Sequence, residues 1–532
     1  MMSTADFRAR KVRSAVAAIA AVAVGATAAA CGGSSSKSGG GGGTGTVTIG
    51  ISSDPGNLSP TTALASTATM INGYAYDRLV HVAPDGTITA GVAEKWTATA
   101  TTAQFTIRPG VTCQDGSPLT ATEVAAEYNY IADPKNQSPM LGLGVPVTAV
   151  AKADTAARTV SITTTAPAPF IVEMAFVLPL VCAKNLPDPT ALAKTTNASG
   201  PYQLTEAVPG DHYTYTKRAG YTWGPDGSTN AAMPATVVFK VVTNTSTAAN
   251  MLLSGQLNLA QINGPDVQRL DGAKVPRKAV QVPFGQIMFN EAAARPTADP
   301  AVRKALVEAL DLKQIGTVAT GGTGKPATGI GEVAPSPCTG DTVAGNVPAH
   351  DAAQAAADLT AAGWTKIGGA WTKDGKPLTV TQVYSTLGGP DMAAAIELAA
   401  QQLTAFGVKV TGAPTDSSTV ASTLAAGAWD LAWIPISVVF PDQLTRFYDG
   451  AAPPNGSNFA SIANPDYQSF SKQAMAVAGK AGCPLWEKAD SALVKRVDVV
   501  PVVSNMLGYY GKGVTYQLDA AGVVPSSLRA GS

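Results

Sequence analysis

The boundary around Cys31 most constrains what this chain can fold into, because it separates a leader-like segment from the part that can build a core. Before it, four basic residues precede a short Ala-rich run over 15–30. This charged-then-apolar order is typical of a secretory signal, and the run is too short for a membrane-spanning helix. After it, residues 32–45 are almost entirely Gly and Ser, with no apolar side chain to bury. We therefore expect the folded body to begin at Thr46.

The residues beside Cys31 also predict how the chain is held at a membrane. The small residues Ala28, Ala29 and Ala30 directly before it resemble the lipobox of bacterial lipoproteins. Residues 1–30 would then be a signal peptide, and a lipidated Cys31 would anchor the chain to the outer face of the cell membrane, on its periplasmic or cell-wall side. As a Gly/Ser coil, the linker over 31–45 reaches roughly 20 Å. The alternative is a signal peptide cleaved near Ala30 and a cysteine without lipid.

The part after Cys31 is large enough for more than one core. About 500 residues exceed the size at which a single hydrophobic core stops growing, so we expect two or more lobes. Apolar residues make up 45% of the chain and charged residues 14%, which excludes a disordered protein. Lys plus Arg and Asp plus Glu both total 37, so no basic excess indicates a nucleic-acid surface.

Four cysteines remain in the exported part, namely Cys113, Cys182, Cys338 and Cys483. An even count in an exported chain predicts two disulfides, and the sequence alone allows three pairings. None of the four forms a C-x-x-C pair, so a metal cluster is not expected. The sequence also lacks the usual motifs of a serine hydrolase, a zinc protease and a phosphate-binding loop. We therefore expect no enzyme, no catalytic residue, no metal and no cofactor.

Strand and helix patterns alternate after Thr46, which predicts the α/β class. The clearest predicted elements are a strand at 47–51, a helix at 120–130, a helix that begins after Asp299, and a helix at 393–406 followed by a strand at 408–410. The first strand alternates apolar and small polar residues with period 2. Thr120 and Glu123 have the spacing of a capping box, and Asp299 with Pro300 is a helix start signal.

Eight segments, in order, resemble those of the family 5 solute-binding proteins, the dipeptide- and oligopeptide-binding group of peptide-type ABC transporters. They are GVTCQDGSPLTATEV at 110–124, GPYQL at 200–204 with PGD at 209–211, AANMLLSGQLNLA at 248–260, IMFN at 287–290 with the helix pattern at 299–315, AAGW at 361–364, the DG turn at 374–375 with the helix and strand at 401–410, WDL at 429–431 with PD at 441–442, and NPDY at 464–467. The resemblance covers about residues 46–526.

The resemblance implies a two-lobed, periplasmic-binding-protein-like clamshell of the class II, large peptide-binding type, with an extra subdomain and a solute site between the lobes. Carried onto this chain, lobe I comprises 46–75, 196–283 and 498–526, a subdomain over 76–195 packs on lobe I, and lobe II comprises 284–497. A disulfide between Cys113 and Cys182 would stay within the subdomain. One between Cys338 and Cys483 would stay within lobe II. We expect these two pairings, since neither would block hinge closure.

In peptide-binding relatives, an acidic residue nine positions after the Asp of the W-D-L segment pairs with the amino terminus of the ligand. That position is Val439 here. Because valine cannot replace a carboxylate against an ammonium group, the resemblance implies a solute without a free amine, or one bound in another register. Asp442 could take over the role if the loop is shifted. Alternatively, it is the acid of the P-D step that caps the following helix.

Aromatic and amide side chains are further candidates for the cleft. Trp433, Phe440 and Phe459 fit an apolar cleft wall, and each could equally belong to a core. Asn290 lies at the expected crossover between the lobes, where its amide suits a ligand contact or a hinge role. Asn458 suits a ligand contact or a turn. The predicted ligand-binding set is Asn290, Trp433, Val439, Phe440, Asp442, Asn458 and Phe459.

These features predict an exported substrate-binding lipoprotein of an ABC importer. We expect a monomer that captures a small peptide, a peptide-like molecule or another polar solute, delivers it to permease subunits and binds no nucleic acid. The alternative is a clamshell lipoprotein that regulates or scaffolds cell-envelope assembly and binds a protein partner in place of a nutrient. The missing acid at Val439 keeps this alternative open.

Overall fold

A computed structural model describes residues 45–531 apart from 64, 84–85, 187, 386–387, 413 and 520–521. The predicted signal peptide, the predicted lipidation site Cys31 and the linker up to residue 44 lie outside the described residues. Within the described ranges, no helix combines the length and the apolar character that crossing a membrane requires.

Helices occur along the whole described part of the chain. They are α1 (Ser66–Ala75), α2 (Ala121–Ala132), α3 (Ile171–Val177), α4 (Thr245–Ser254), α5 (Asp266–Gly272), α6 (Pro300–Glu308), α7 (Leu312–Ala319), α8 (Ala352–Ala361), α9 (Gly389–Phe406), α10 (Ser417–Ala426), α11 (Thr445–Tyr448), α12 (Pro465–Met475) and α13 (Cys483–Lys495).

The strands alternate with these helices, which gives the α/β class. They are β1 (Thr46–Ile51), β2 (Val80–Val82), β3 (Ile88–Ala90), β4 (Ala93–Ala98), β5 (Thr102–Ile107), β6 (Val150–Asp154), β7 (Thr159–Thr163), β8 (Tyr202–Val208), β9 (His212–Lys217), β10 (Thr236–Val241), β11 (Leu259–Gln261), β12 (Arg277–Phe289), β13 (Thr365–Ile367), β14 (Ala370–Lys373), β15 (Lys376–Pro377), β16 (Thr379–Ser385), β17 (Lys409–Thr411), β18 (Pro414–Thr415), β19 (Leu431–Trp433), β20 (Val499–Gly511), β21 (Val514–Thr515), β22 (Leu518–Asp519), β23 (Gly522–Val523) and β24 (Arg529–Ala530).

Several elements begin where local sequence signals place them. Thr120 caps α2 and its backbone N–H donates to the Glu123 carboxylate at 2.8 Å, as a capping box requires. The Asp299 carboxylate accepts the Ala301 N–H at 2.9 Å at the start of α6. Helix α9 begins at Gly389, before the predicted start at 393. The reason is that Pro390 occupies an early helical position, where a missing N–H does no harm.

An eleven-stranded mixed sheet is the backbone of the fold, in the order β17-β16-β19-β12-β20-β11-β1-β10-β9-β8, with β18 paired to β16. In one half, β11, β1 and β10 are parallel. In the other half, β17, β16 and β19 are parallel. The two 13-residue strands β12 and β20 pair antiparallel between the halves. We call the part with β11, β1 and β10 the first half and the part with β17, β16 and β19 the second half. The β12–β20 pair is the central ribbon.

The central ribbon is irregular at one place. The β12–β20 register shifts on both sides of Gly285, between Pro283 and Gln286. Such a bulge bends and twists a strand pair locally. A side chain at Gly285 would place its Cβ about 3.0 Å from the Val503 side chain, so Val503 would have to shift to accommodate a larger residue here.

The hydrophobic cores follow these parts of the fold. One surrounds β1, β8–β10 and α1 in the first half of the sheet. A second lies between the four-stranded sheet β4-β5-β7-β6 and helices α2 and α3. Two more flank the second half, around α6 and α9 and around α12 and α13. The division into lobes at particular residues remains a prediction of the sequence.

Two disulfides join Cys113 to Cys182 and Cys338 to Cys483, which are the expected pairings. The first lies within the core between the small sheet and α2 and α3. The second lies in a separate apolar cluster where α3 meets the chain around Trp486. Each bridge closes a long loop and so stabilises the fold by roughly 4–5 kcal/mol on the chain-entropy model.

Candidate solute-binding site

A cavity of about 340 Å³ opens in the second half of the sheet, where β16 and β19 end and α9 begins. We call it the apolar cavity. Ligands of α/β sheets bind beyond the carboxyl ends of parallel strands, and β16 and β19 are parallel neighbours. The residues that line it are Phe284, Gln286, Ser385, Gly388, Met392, Val420, Trp433, Ile434 and Pro435.

Rigid elements hold the walls of the apolar cavity. Trp433 is the last residue of β19 and is 5% exposed, held in the ladder between Ile287 of β12 and Tyr384 of β16. Met392 on α9 and Val420 on α10 are also buried. Three strands and two helices therefore fix the shape of this cavity before any solute arrives.

Gln286 lies at the cavity, yet its polar atoms are already used. Its Nε2 donates to the carbonyl of Ile330 at 2.9 Å and to the Tyr448 hydroxyl at 3.1 Å. Its Oε1 accepts the backbone N–H of Ile436 at 2.9 Å. Gln286 therefore fixes the segment after Trp433 as a wall.

A second cavity, of about 510 Å³, opens at the carboxyl ends of β1, β10 and β11 in the first half of the sheet. We call it the polar cavity, because many of its lining side chains carry hydroxyl or amide groups: Ser52, Ser66, Thr67, Thr69, Thr245 and Gln261. Leu507 of β20 also lines it and pairs with Val280 of β12. Phe284 of the apolar cavity follows Val280 by four residues, so these two positions are about 13 Å apart along an ideal strand.

The structure places the predicted ligand-binding residues in three locations. Trp433 lines the apolar cavity, Val439, Phe440 and Asp442 lie beside helix α3, and Asn290, Asn458 and Phe459 lie in the core of the second half. Only Trp433 of this set lines either of the two cavities among the described residues. The ligand contacts proposed for the others remain predictions.

The two asparagines are occupied within the protein. Asn290 is 1% exposed, and its amide donates to the carbonyls of Gly427 at 3.2 Å and Trp429 at 2.9 Å. The Asn458 amide donates to the carbonyl of Ile462 at 2.9 Å and accepts the N–H of the same residue at 3.0 Å. Both side chains thus hold loops of the second half in place.

Helix α3 contacts the second half of the molecule through an apolar cluster, which we call the α3 contact. The rings of Phe170 and Phe440 stack at 5.6 Å with an interplanar angle of 13°, and Trp486 lies 6.4 Å from Phe170. The N–H of Gly479 donates to the carbonyl of Pro169 at 2.8 Å. Val439 and the Cys338–Cys483 disulfide pack into the same cluster. The start of α3 thus contacts the second half of the molecule.

Two carboxyl groups, of Glu173 and Asp442, lie near each other at the α3 contact. Burial, with the nearby Asp442 carboxyl as a lesser cause, raises the pKa of Glu173 to about 7. Burial also raises the pKa of Asp442 to about 7. Asp442 Oδ1 is buried and has no hydrogen-bond partner among the described residues. These acids therefore titrate close to neutral pH.

The sequence patterns missed most of the cavity. Phe284, Met392 and Val420 belong to no motif, and they meet only because β12, β16 and β19 become neighbours. Ile434 and Pro435 carried a usable signal, since they directly follow the predicted Trp433. Among the described residues, no group of three or more His, Cys, Asp or Glu side chains is arranged to hold a metal ion.

A family model described as bacterial extracellular solute-binding proteins, family 5 Middle, matches residues 87–458. Protein XP55 of Streptomyces lividans is 29% identical over 349 residues, which are 63% of this chain and 60% of that protein. A substrate-binding protein of Microbacterium hydrocarbonoxydans, solved with 4-hydroxybenzoate hydrazide, has a TM-score of 0.69 and 26% identity, over 92% of this chain and 100% of that one. The oligopeptide-binding protein AppA of Bacillus subtilis, solved with a nonapeptide, has a TM-score of 0.69 and 17% identity, over 93% and 100%.

Proposed function

Because this chain belongs to family 5 of the bacterial extracellular solute-binding proteins, we propose that it is the lipid-anchored receptor of an ABC importer. Proteins of this family are extracytoplasmic and bind solutes; they are not enzymes. The proposed receptor captures a solute between its two lobes and delivers it to the permease. The anchor is lipidated Cys31, with the Gly/Ser linker as a leash.

The observation that carries this proposal is the pair of cavities along one central ribbon. Each lies beyond the carboxyl ends of parallel strands, and the ribbon has a bulge at Gly285, between Phe284 and Gln286 of the apolar cavity. A solute that touches both cavities favours the closed arrangement by the difference between its contacts in the two states. A permease can then distinguish loaded from empty receptors by their degree of closure.

The proposed solute is peptide-like or another polar molecule without a required free amino terminus. Val439, at the position where peptide-binding relatives carry an acid, packs in the apolar α3 contact. The similar Microbacterium protein was solved with a hydrazide, and AppA with a peptide, so both kinds of solute occur on this fold.

A second candidate function is the regulation or scaffolding of cell-envelope assembly through a protein partner. The observation that favours it is again Val439, because a receptor for free peptides would need an acid there. Native mass spectrometry of the protein, purified without denaturation, tests the two against each other. A bound small solute supports the receptor. A stoichiometric protein partner with no solute supports the alternative.

Acetylation of a peptide's amino terminus is expected to leave its affinity unchanged or to raise it. A desolvated ammonium without a counter-charge costs several kcal/mol, so the free amine brings no advantage at Val439. Titration calorimetry with matched free and N-acetylated peptides measures this, with Asp442→Asn as the companion variant. A tenfold preference for the free amine that disappears in Asp442→Asn would show that Asp442 is the amine anchor.

Cys31→Ser is expected to move the protein from the detergent phase of membranes to the aqueous fraction, because one thiol carries the whole proposed anchor. Triton X-114 partitioning of expressing cells measures the distribution, and Ser34→Ala in the linker is the matched control. Retention of Cys31→Ser in the detergent phase, at the level of the parent, would contradict lipidation.

A further inference from the structure

The apolar cavity is built for a part of the solute that carries no charge. We propose that the solute enters it with an uncharged apolar group, either an aromatic ring or a branched hydrocarbon chain, while a polar part of the solute faces the polar cavity. This inference rests on the proposed receptor function and names the chemical class of its solute.

The apolar cavity is lined mainly by apolar side chains. Its apolar side chains are Phe284, Met392, Val420, Trp433, Ile434 and Pro435. No charged side chain lines it among the described residues, and the chain between Asp430 and Asp442 contains no charged residue. A charged group that enters would lose its hydration without gaining a counter-charge, which strongly disfavours binding.

The hydrogen bonds of Gln286 at the cavity also favour an apolar ligand group. Gln286, which would be the natural partner for a polar ligand group, already donates to Ile330 and Tyr448 and accepts from Ile436. A polar ligand group that bonds to Gln286 would have to break one of these buried bonds, whereas the Trp433 indole N–H has no hydrogen-bond partner among the described residues. An apolar group leaves all three bonds intact and gains contact with the surrounding side chains.

The size of the apolar cavity also matters for what it can hold. An apolar cavity of about 150 Å³ holds a benzene molecule. The apolar cavity has about 340 Å³, so it has room for a ring with a substituent. Val280, whose partner Leu507 lines the polar cavity, lies about 13 Å from Phe284 along an ideal strand, a distance that an extended molecule of a few residues spans. The two cavities together therefore fit an amphipathic solute of that length.

A matched set of small probes tests the charge preference directly. Benzamide and benzyl alcohol carry a neutral substituent, benzoate an anionic one and benzylammonium a cationic one. Ligand-observed NMR and calorimetry at pH 7 with the mature protein should show the neutral pair binding at least tenfold more tightly than either charged probe. Equal or tighter binding of benzoate or benzylammonium would overturn the proposal.

Two substitutions locate the binding. Val420→Phe fills the cavity and is expected to weaken benzamide binding at least tenfold, whereas Val150→Phe, on an exposed strand far from it, leaves binding unchanged. Val420→Ala enlarges the cavity and is expected to improve the binding of 2-naphthamide relative to benzamide at least threefold. Circular dichroism verifies that each variant is folded. Unchanged probe affinities in both Val420 variants would refute the location.

The co-purified solute separates this inference from the receptor function itself. If native mass spectrometry finds a solute that Val420→Phe still retains at parent occupancy, the receptor function stands and the apolar-group inference fails. If the solute is lost from Val420→Phe and retained by Val150→Phe, both are supported. If a stoichiometric protein partner and no solute are found but the neutral probes bind as expected, the cavity assignment stands and the receptor function fails.

Discussion

At pH 8, Glu173→Gln is expected to raise the free energy of unfolding by about 3 kcal/mol, and at pH 4 to leave it nearly unchanged. Burial raises the pKa of Glu173 to about 7, whereas in the unfolded chain the pKa is near its ordinary 4.5. The folded state thus binds more protons, and its stability falls as the pH rises from about 4.5 to about 7. Gln is uncharged at every pH, as the protonated acid is. The variant therefore does not lose stability as the pH rises.

The surroundings of Glu173 fix the sign of this effect. Asp442 lies near it at the α3 contact, and its negative charge adds to the effect of burial. Arg78 lies over the Phe176 ring of α3, and burial beside Arg78 lowers the pKa of His81 to about 3, so this histidine is neutral. Lys480 follows Gly479 at the contact and is exposed. Within the described residues, no ion pair is formed by Glu173.

Urea unfolding between pH 4 and pH 8 measures the difference between variant and parent. Glu397→Gln, an exposed change on α9, is the matched control and should shift stability by less than about 0.5 kcal/mol at every pH. Asp442→Asn should behave as Glu173→Gln does, and the double variant should gain less than the sum because the two acids act on each other. A pH-independent difference for Glu173→Gln would show that its carboxyl is not buried in solution.

Arg303→Met is expected to destabilise the protein by about 3–5 kcal/mol, because it leaves the buried Asp498 carboxylate without its counter-charge. Arg303 is fully buried and its Nη2 lies 2.8 Å from Asp498 Oδ1. Its Nε donates to the carbonyl of Val497 at 3.0 Å, and its Nη1 to that of Thr297 at 2.9 Å. Burial and the adjoining Asp498 raise the pKa of Glu291 to about 8 even with the arginine in place. Arg303→Met should therefore lose less stability at pH 5 than at pH 8.

Arg269→Met provides the control for this prediction. Arg269 forms a partly exposed ion pair with Asp266 at 2.7 Å, of the kind that contributes about 1 kcal/mol or less. Denaturant unfolding of both variants at pH 5 and pH 8 measures the contrast. Adding Asp498→Asn to Arg303→Met should restore part of the loss. If Arg303→Met and Arg269→Met cost the same, the buried network does not hold this region together.

The parts of the fold that the sequence predicted are those with local or family-wide signals. The capping box of Thr120 and Glu123 and the start at Asp299 depend on contacts within one helical turn, so a short window contains all the information. The two disulfides could be paired only through the family resemblance, because spacing alone left three choices. Neither kind of signal says which strands become neighbours in the sheet.

The candidate site was predictable only in part for the same reason. Trp433 and the residues after it lie in one segment, whereas Phe284, Met392 and Val420 reach the cavity from separate parts of the chain. Asn290 was proposed from its place at the expected crossover between the lobes and from its amide, which suits a ligand and a backbone carbonyl equally well. The structure shows that its amide donates hydrogen bonds to carbonyls of the core. Residue type alone could not have revealed that buried hydrogen bonding.

The bulge at Gly285 gives the central ribbon a mechanical consequence. The ladder is regular from Arg277 to Pro283 and resumes beyond Gly285, so each side is a stiff arm and the bending concentrates between them. With an arm of about 13 Å from Phe284, beside the bulge, to Val280, a turn of about 10° displaces the polar cavity by about 2 Å relative to the apolar one. That displacement is comparable with the length added by one or two carbon–carbon bonds. The length of the solute would thus set the angle at which the central ribbon bends. A longer solute would leave the receptor measurably more open to its transporter.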